Sequence, residues 1–240
     1  MQVPTLESTP QSKIHLIGGE KGGVGKSMVS RLLAQYFIDH NLPFIGFDTD
    51  RSHGSFTRFY ADYASPALVD RYEALDKIVE SAAELPGRRV LVDLAAQTHE
   101  PLVKWMDDSG VLDMADISDF AFTYWHVMDN GRDSVDMLSR LLDQFGQRVQ
   151  HVIVLNQLRG DDFSTLEKSG QLERARALGA TVITIKRLHD AAVQKIDAHN
   201  ASFWAAKSGA ATDSGLGLMD RQRVKMWLSH AYSEIAKAGA

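Results

Sequence analysis

One stretch limits what this chain can fold into: Gly18-Gly19-Glu20-Lys21-Gly22-Gly23-Val24-Gly25-Lys26-Ser27. A short apolar run, Ile14 to Ile17, leads into it, and Met28 to Phe37 follows with helical spacing. Strand, glycine loop and helix in that order make a phosphate site. Glycines let backbone N–H groups converge on oxygens where a Cβ would clash. The helix opening near Lys26 adds the positive end of its dipole. On this geometry Lys26 reaches the β- and γ-phosphates and the Ser27 hydroxyl holds Mg²⁺. Gly22, Gly23, Val24, Gly25, Lys26, Ser27 and Met28 are the expected nucleotide contacts.

The rest of the chain is organised to carry such a loop. Strands alternate with helices from end to end, which predicts an α/β fold with a mostly parallel sheet covered by helices on both faces. The first helix is expected from Lys26 to about His40, and Phe44 to Phe47 form a strand delivering Asp48-Thr49-Asp50. Helical spacing recurs over Glu73 to Leu85, and Val90-Leu91-Val92-Asp93-Leu94 is a buried strand. Thr98 to Ser109 reads as a helix, Phe120 to Val127 as an aromatic strand, and Arg132 to Phe145 as an amphipathic helix. Strand His151 to Leu155, helix Ser164 to Leu178 and strand Thr181 to Ile185 follow. Leu188 to Ala198, Ala201 to Lys207 and the amphipathic Leu218 to Ala238 close the chain. Gly54 to Tyr63 shows no clean period. Residues 1–12 read as a short tail, and 13–240 as one domain.

Composition removes several function classes. With 240 residues and 44% hydrophobic content the chain can bury a sizeable core. A net charge of −5 shows no global basic excess. The absence of cysteine excludes disulfide scaffolds, thiolate metal sites and cysteine nucleophiles. No apolar run approaches the ~18–20 residues of a membrane span, and Met1 to Ser12 lacks the basic-then-apolar pattern of a signal peptide. The expected location is cytoplasmic.

Nucleoside triphosphate hydrolysis needs a phosphate cradle, a Mg²⁺ site and a group that orients water. Asp93 follows the apolar run Val90-Leu91-Val92, as a metal aspartate of a phosphate site does, and can share Mg²⁺ with Ser27 through a coordinated water. Asp48 and Asp50 stand at the strand end between them, Asp48 a further metal candidate and one of the pair expected on the γ-phosphate side. Guanine readers of this loop class carry [NT]-K-x-D after a late strand. Asn156-Gln157-Leu158-Arg159 has no aspartate there, which favours ATP.

The strict pattern G-x-x-x-x-G-K-[ST] would put glycine at position 20, where this chain has Glu20, and the loop carries a second lysine, Lys21. That K-G-G-x-G-K-[ST] form resembles the deviant P-loop of the ParA/MinD family of ATPases. The resemblance implies catalytic roles for Lys21, Lys26 and Asp50. Lys21 would reach across a dimer interface to the partner's nucleotide, and Asp50 would position water. It also places Asn156 beside adenine and implies an ATP-bound homodimer that hydrolyses slowly under a stimulating protein partner. Arg132-Asp133-Ser134 resembles a segment of MinD-like proteins, or is simply a polar helix start. Asp93-Leu94-Ala95-Ala96-Gln97 departs from the family's Asp-Thr or Asp-Ser then Pro.

Met219-Asp220-Arg221-Gln222-Arg223-Val224-Lys225 resembles the end of TraL-like and mobilisation-associated members. This implies a role in conjugation, mobilisation, partition or positioning of a cargo. Arg221, Arg223 and Lys225 are either a solvated helix face or a non-specific DNA contact. The alanine-rich end, Glu234 to Ala240, disfavours membrane attachment. Two other readings stand beside the switch ATPase: a metabolic ATP-dependent enzyme of the same fold, and a nucleotide-binding scaffold with little hydrolysis.

Overall fold

A computed structural model describes residues 11–19, 22–51, 53–208 and 215–240, the side chain of Asp116 excepted. Seven strands form one sheet: β1 (Ser12–Gly18), β2 (Phe44–Asp48), β3 (Ala64–Pro66), β4 (Arg89–Asp93), β5 (Phe120–Met128), β6 (Gln150–Asn156) and β7 (Thr181–Ile185). Their spatial order is β3-β2-β4-β1-β5-β6-β7, and every neighbouring pair is parallel. All strands therefore end on the same edge. The chain leaves β1 for β2 on one side and later crosses to β5 on the other, so the end of β1 is a topological switch point, where open parallel sheets bind ligands.

The helices are α1 (Lys26–Asp39), α2 (Ser55–Phe59), α3 (Tyr72–Glu84), α4 (His99–Asp108), α5 (Val111–Ile117), α6 (Arg132–Phe145), α7 (Ser164–Lys168), α8 (Gln171–Ala177), α9 (Asp190–Ala198), α10 (Phe203–Ser208) and α11 (Leu218–Lys237). They divide between the two faces because strand side chains alternate. Ile14 and Leu16 of β1 join the core under α3 to α8, while Ile17 joins the core under α1, α2 and α9 to α11. β5 repeats the pattern, with Phe122 and Tyr124 on the first face and Trp125 and Val127 on the second. A strand buried on both faces reads as a nearly continuous apolar run, and β1 and β5 interrupt theirs only with the buried Ser12, His15, Thr123 and His126 and with Lys13.

Most expected elements appear within one or two residues of their positions, and four do not. The aperiodic stretch Gly54 to Tyr63 contains the short α2, and the three-residue edge strand β3 follows it. A further helix, α5, follows α4 after a turn at Gly110. The single helix expected over 164–178 is broken into α7 and α8 at Ser169-Gly170, where Gly170 takes φ +74. β1 starts at Ser12, inside the expected tail.

α1 is the main girder of its face. Asp39 at its end accepts hydrogen bonds from Gln35 (2.9 Å) and Tyr232 (2.6 Å) and pairs with Lys207, joining α10 and α11 to α1. The Gln35 carbonyl accepts from the Tyr60 hydroxyl at 3.1 Å and the Trp204 N–H at 2.8 Å. α2 seats against β2 through Phe56, which is fully buried. A Cβ at Gly46 would lie 2.6–2.8 Å from that ring and 3.0 Å from Ala64. Gly46→Ala should therefore cost about 1–3 kcal/mol in urea unfolding. Combined with Phe56→Leu it should cost less than the sum of the two single changes, since both act on one contact.

Candidate nucleotide site

The glycine loop leaves β1 at Gly18 and enters α1 at Lys26. Gly25 sits at φ +98, and a Cβ there would lie 2.3 Å from the Asn156 side-chain nitrogen, so only glycine fits. Asn156 donates that amide to the Val24 carbonyl at 2.8 Å. The residue expected beside adenine thus clamps the loop from the end of β6. No side chain caps the N-terminus of α1, which leaves its first N–H groups to an anion. Lys26 is buried at this point.

A cavity of about 330 Å³ opens over the loop. Gly22, Gly23, Gly25, Lys26, Ser27 and Met28 form one wall, Asp50 and His53 a second, and Asp93 to Ala96 a third. A larger cavity, about 840 Å³, lies at the opposite edge of the sheet beside Pro43, Phe44, Tyr63 and Leu85. None of the phosphate-loop residues line it.

Asp93 is the charged centre of the site. Its Oδ1 accepts the Ser30 hydroxyl at 2.9 Å, whereas Oδ2 is buried with no hydrogen-bond partner. Burial pushes its carboxyl up to about 7, the Asp48 charge adds to the rise, and the Ser27 and Ser30 hydroxyls and Lys26 oppose it. A buried carboxylate with an unused oxygen, beside a serine hydroxyl, fits a hydrated divalent cation. Among the described residues no group of three or more His, Cys, Asp or Glu could cage a metal. Mg²⁺ takes few protein oxygens and is completed by waters and substrate phosphates.

The expected pair at the end of β2 divides its labour. Asp48 does not line the cavity. Its Oδ1 accepts the Asp50 N–H at 3.0 Å, and its Oδ2 accepts the Phe56 and Thr57 N–H groups at 2.9 and 3.0 Å and the Thr57 hydroxyl at 3.3 Å. Through these bonds Asp48 anchors the start of α2. Asp50 does face the cavity, with the His53 N–H at 3.1 Å and the His53 ring nitrogen at 3.4 Å. Lys21, with Glu20, lies outside the described residues.

Two residues belong to the site that the sequence did not single out. His53 lines the cavity beside Asp50. Thr49 ties the two acidic strand ends together: its hydroxyl donates to the Asp93 carbonyl at 3.0 Å and accepts the Ala95 N–H at 2.8 Å. The threonine between two aspartates was the available signal.

The remaining expected positions lie on helices. Arg223 and Lys195 both pair with Asp220, at 2.9 and 2.6 Å, while Lys225 is exposed on α11. At the start of α6, Ser134 donates to the buried Asp129 at 2.7 Å, a structural use of that segment.

The Asp93 carboxyl titrates higher in the folded chain than the ordinary aspartate value of 3.8. The folded state therefore holds an extra proton between those values, and stability falls as pH rises through that window. In metal-free buffer Asp93→Asn should be more stable than wild type at pH 8, by on the order of 2–4 kcal/mol. The difference should shrink as pH falls through 7 and vanish near 4, as read by urea unfolding.

The family model for the CobQ/CobB/MinD/ParA nucleotide binding domain matches residues 16–202. Protein TraL of Escherichia coli is 26% identical over 242 residues, covering 95% of this chain and 98% of its own. Protein MobD of Acidithiobacillus ferrooxidans is 25% identical over 142 residues, covering 58% and 62%. Among solved structures, apo McdA of Cyanthece shares the fold at a TM-score of 0.50 with 12% identity, covering 96% of this chain and 99% of that one. With the phosphate loop on β1, the aspartate on β4 and a family match over most of its length, this chain belongs to the CobQ/CobB/MinD/ParA nucleotide-binding family.

Proposed function

We propose that the chain is a switch ATPase of the ParA/MinD type, which dimerises on ATP and hydrolyses it slowly. The observation that carries this reading is the buried Asp93 oxygen left without a protein partner, facing a glycine cradle with Lys26 and Ser27 on the same cavity. Ser27 and Asp93 would hold Mg²⁺, which when bound neutralises charge on the phosphates. The N–H groups of Gly22 to Met28 bind the phosphate oxygens, and Lys26 stabilises the β- and γ-phosphate charge. Asp50 orients the attacking water. Asn156 keeps the loop shaped through its bond to the Val24 carbonyl, and the missing aspartate after β6 disfavours guanine.

The similarity to TraL and MobD supports a role in conjugation, mobilisation or partition, with a protein partner that stimulates turnover. Lys225, Arg221 and Arg223 on α11 offer a non-specific DNA contact for the dimer. Arg223, itself about half exposed, would exchange Asp220 for phosphate, leaving Asp220 paired with Lys195. No helix among the described residues is long and apolar enough to cross a membrane.

Light scattering with ATP and Mg²⁺, with ADP and without nucleotide tests the switch. The mass should double only with ATP, and Lys21→Ala should abolish both the doubling and phosphate release. An unchanged mass in ATP would sink the reading. Asp50→Ala should keep nucleotide affinity within a few fold and slow phosphate release by roughly 10²-fold or more, the scale of a lost water-orienting group. Release at the wild-type rate would instead favour a different residue in that role.

A further inference from the structure

Three described residues other than glycine take a left-handed backbone: Asn41 (φ 54), Asn200 (φ 48) and Gln97 (φ 63). The first two have an ordinary reason. Each directly follows the residue that caps a helix end, His40 after α1 and His199 after α9, and asparagine is the side chain that best tolerates that helix-ending geometry. Gln97 is different. It is not asparagine, it lies in a turn with Ala96 between β4 and α4 rather than after a helix, and its side chain is exposed without a hydrogen bond to any described residue.

The loop around it is otherwise tightly held. The Leu94 N–H donates to the Ile17 carbonyl at 3.0 Å, the Ala95 N–H to the Thr49 hydroxyl at 2.8 Å, and the Thr98 hydroxyl to the Ala95 carbonyl at 2.8 Å. Asp93 to Ala96 form a wall of the phosphate cavity, and Gln97 is the next residue in the chain. The wall itself offers only apolar Leu94, Ala95 and Ala96, so the cavity has no side-chain donor on this side short of Gln97. A turn position at φ 63 that glycine or asparagine would fill without strain, given to glutamine one residue beyond the cavity wall, points to a use in the site.

A primary amide suits that position. Its carbonyl accepts from a water hydrogen while its NH₂ donates to a phosphate oxygen, and it neither takes up nor releases a proton. A glutamine close to the Mg²⁺ aspartate orients attacking water in other phosphate-loop hydrolases. Resting on the ATPase reading above, we propose that Gln97 is a second water- and γ-phosphate-positioning residue, acting opposite Asp50. In the step it serves, the water oxygen bonds to the γ-phosphorus, the bond from that phosphorus to the β–γ bridging oxygen breaks, and the bridging oxygen leaves with ADP. The water's proton passes to phosphate, and Gln97 keeps its own.

The test compares wild type with Gln97→Gly, which removes the amide and relieves the backbone. Without nucleotide, Gln97→Gly should melt no lower than wild type and about 2 °C higher. Its affinity for ADP with Mg²⁺ should stay within twofold. Its affinity for ADP with Mg²⁺ and aluminium fluoride, a mimic of the transferring phosphoryl group and its water, should fall at least tenfold, and phosphate release should fall by at least as much. Wild-type trapping and release in Gln97→Gly would overturn this inference alone. A variant that melts lower would also contradict it, because the side chain would then be a structural contact. A wild type that neither traps nor turns over would fail the ATPase reading and this inference together.

Discussion

The cost of burying one carboxylate organises the nucleotide site. Asp93 sits at the end of β4, between β1 and β2, almost wholly removed from water. An ionised carboxylate there is stable only if something positive or hydrogen-bonding meets it. The chain supplies Ser27, Ser30 and Lys26 on one side and leaves one oxygen unmet. A folded apo protein thus carries a local instability that a bound cation and nucleotide would remove. This is the coupling a nucleotide switch requires, since a ligand shifts an equilibrium only by its preference for one state.

The sheet order turns that local feature into a communicating one. β1, β2 and β4 are neighbours, and they deliver the glycine loop, the Asp48-Thr49-Asp50 segment and the Asp93 loop to one edge. Thr49 bonds to the main chain on both sides of Leu94, so the β2 and β4 loops are fastened to each other. Asp48 fastens the same segment to α2, and Phe56 of α2 is seated on β2. Changes at the phosphate side thereby have a covalent and hydrogen-bonded route to a surface helix. Arg31 of α1 lies 3.4 Å over the Phe59 ring and pairs with Asp197 of α9 at 3.3 Å, extending the same frame toward the C-terminal helices.

The phosphate loop, the aspartate of β4 and the layered α/β fold were legible because each has a signature that local physics enforces. Glycines mark backbone approach, apolar runs mark strands buried on both faces, and the 3.6-residue period marks α1, α3, α6 and α11. What stayed hidden lacks such a signature. α2 and β3 are too short to show a period, and Phe56, Phe59 and Tyr60 are buried by the tertiary fold rather than by any local pattern. The break at Gly170 could be read only as one glycine in a polar helix. Residue roles were harder than residue places. Asp48 and Asp50 look alike in sequence, yet one holds α2 and the other lines the cavity, a distinction made by where the chain turns after Thr49. Asn156 likewise proved to be a clamp on the loop through a donor whose direction no sequence records.

The central claim is that Asp93 couples a metal-bound nucleotide to the stability of this sheet edge. It is tested most directly by the melting temperature of wild type and Asp93→Asn at pH 7.5, with ADP plus Mg²⁺ and with ADP plus a chelator. The account predicts that Mg²⁺ adds a clear rise over ADP alone in wild type and little or none in Asp93→Asn. Equal Mg²⁺-dependent rises in the two proteins would contradict it.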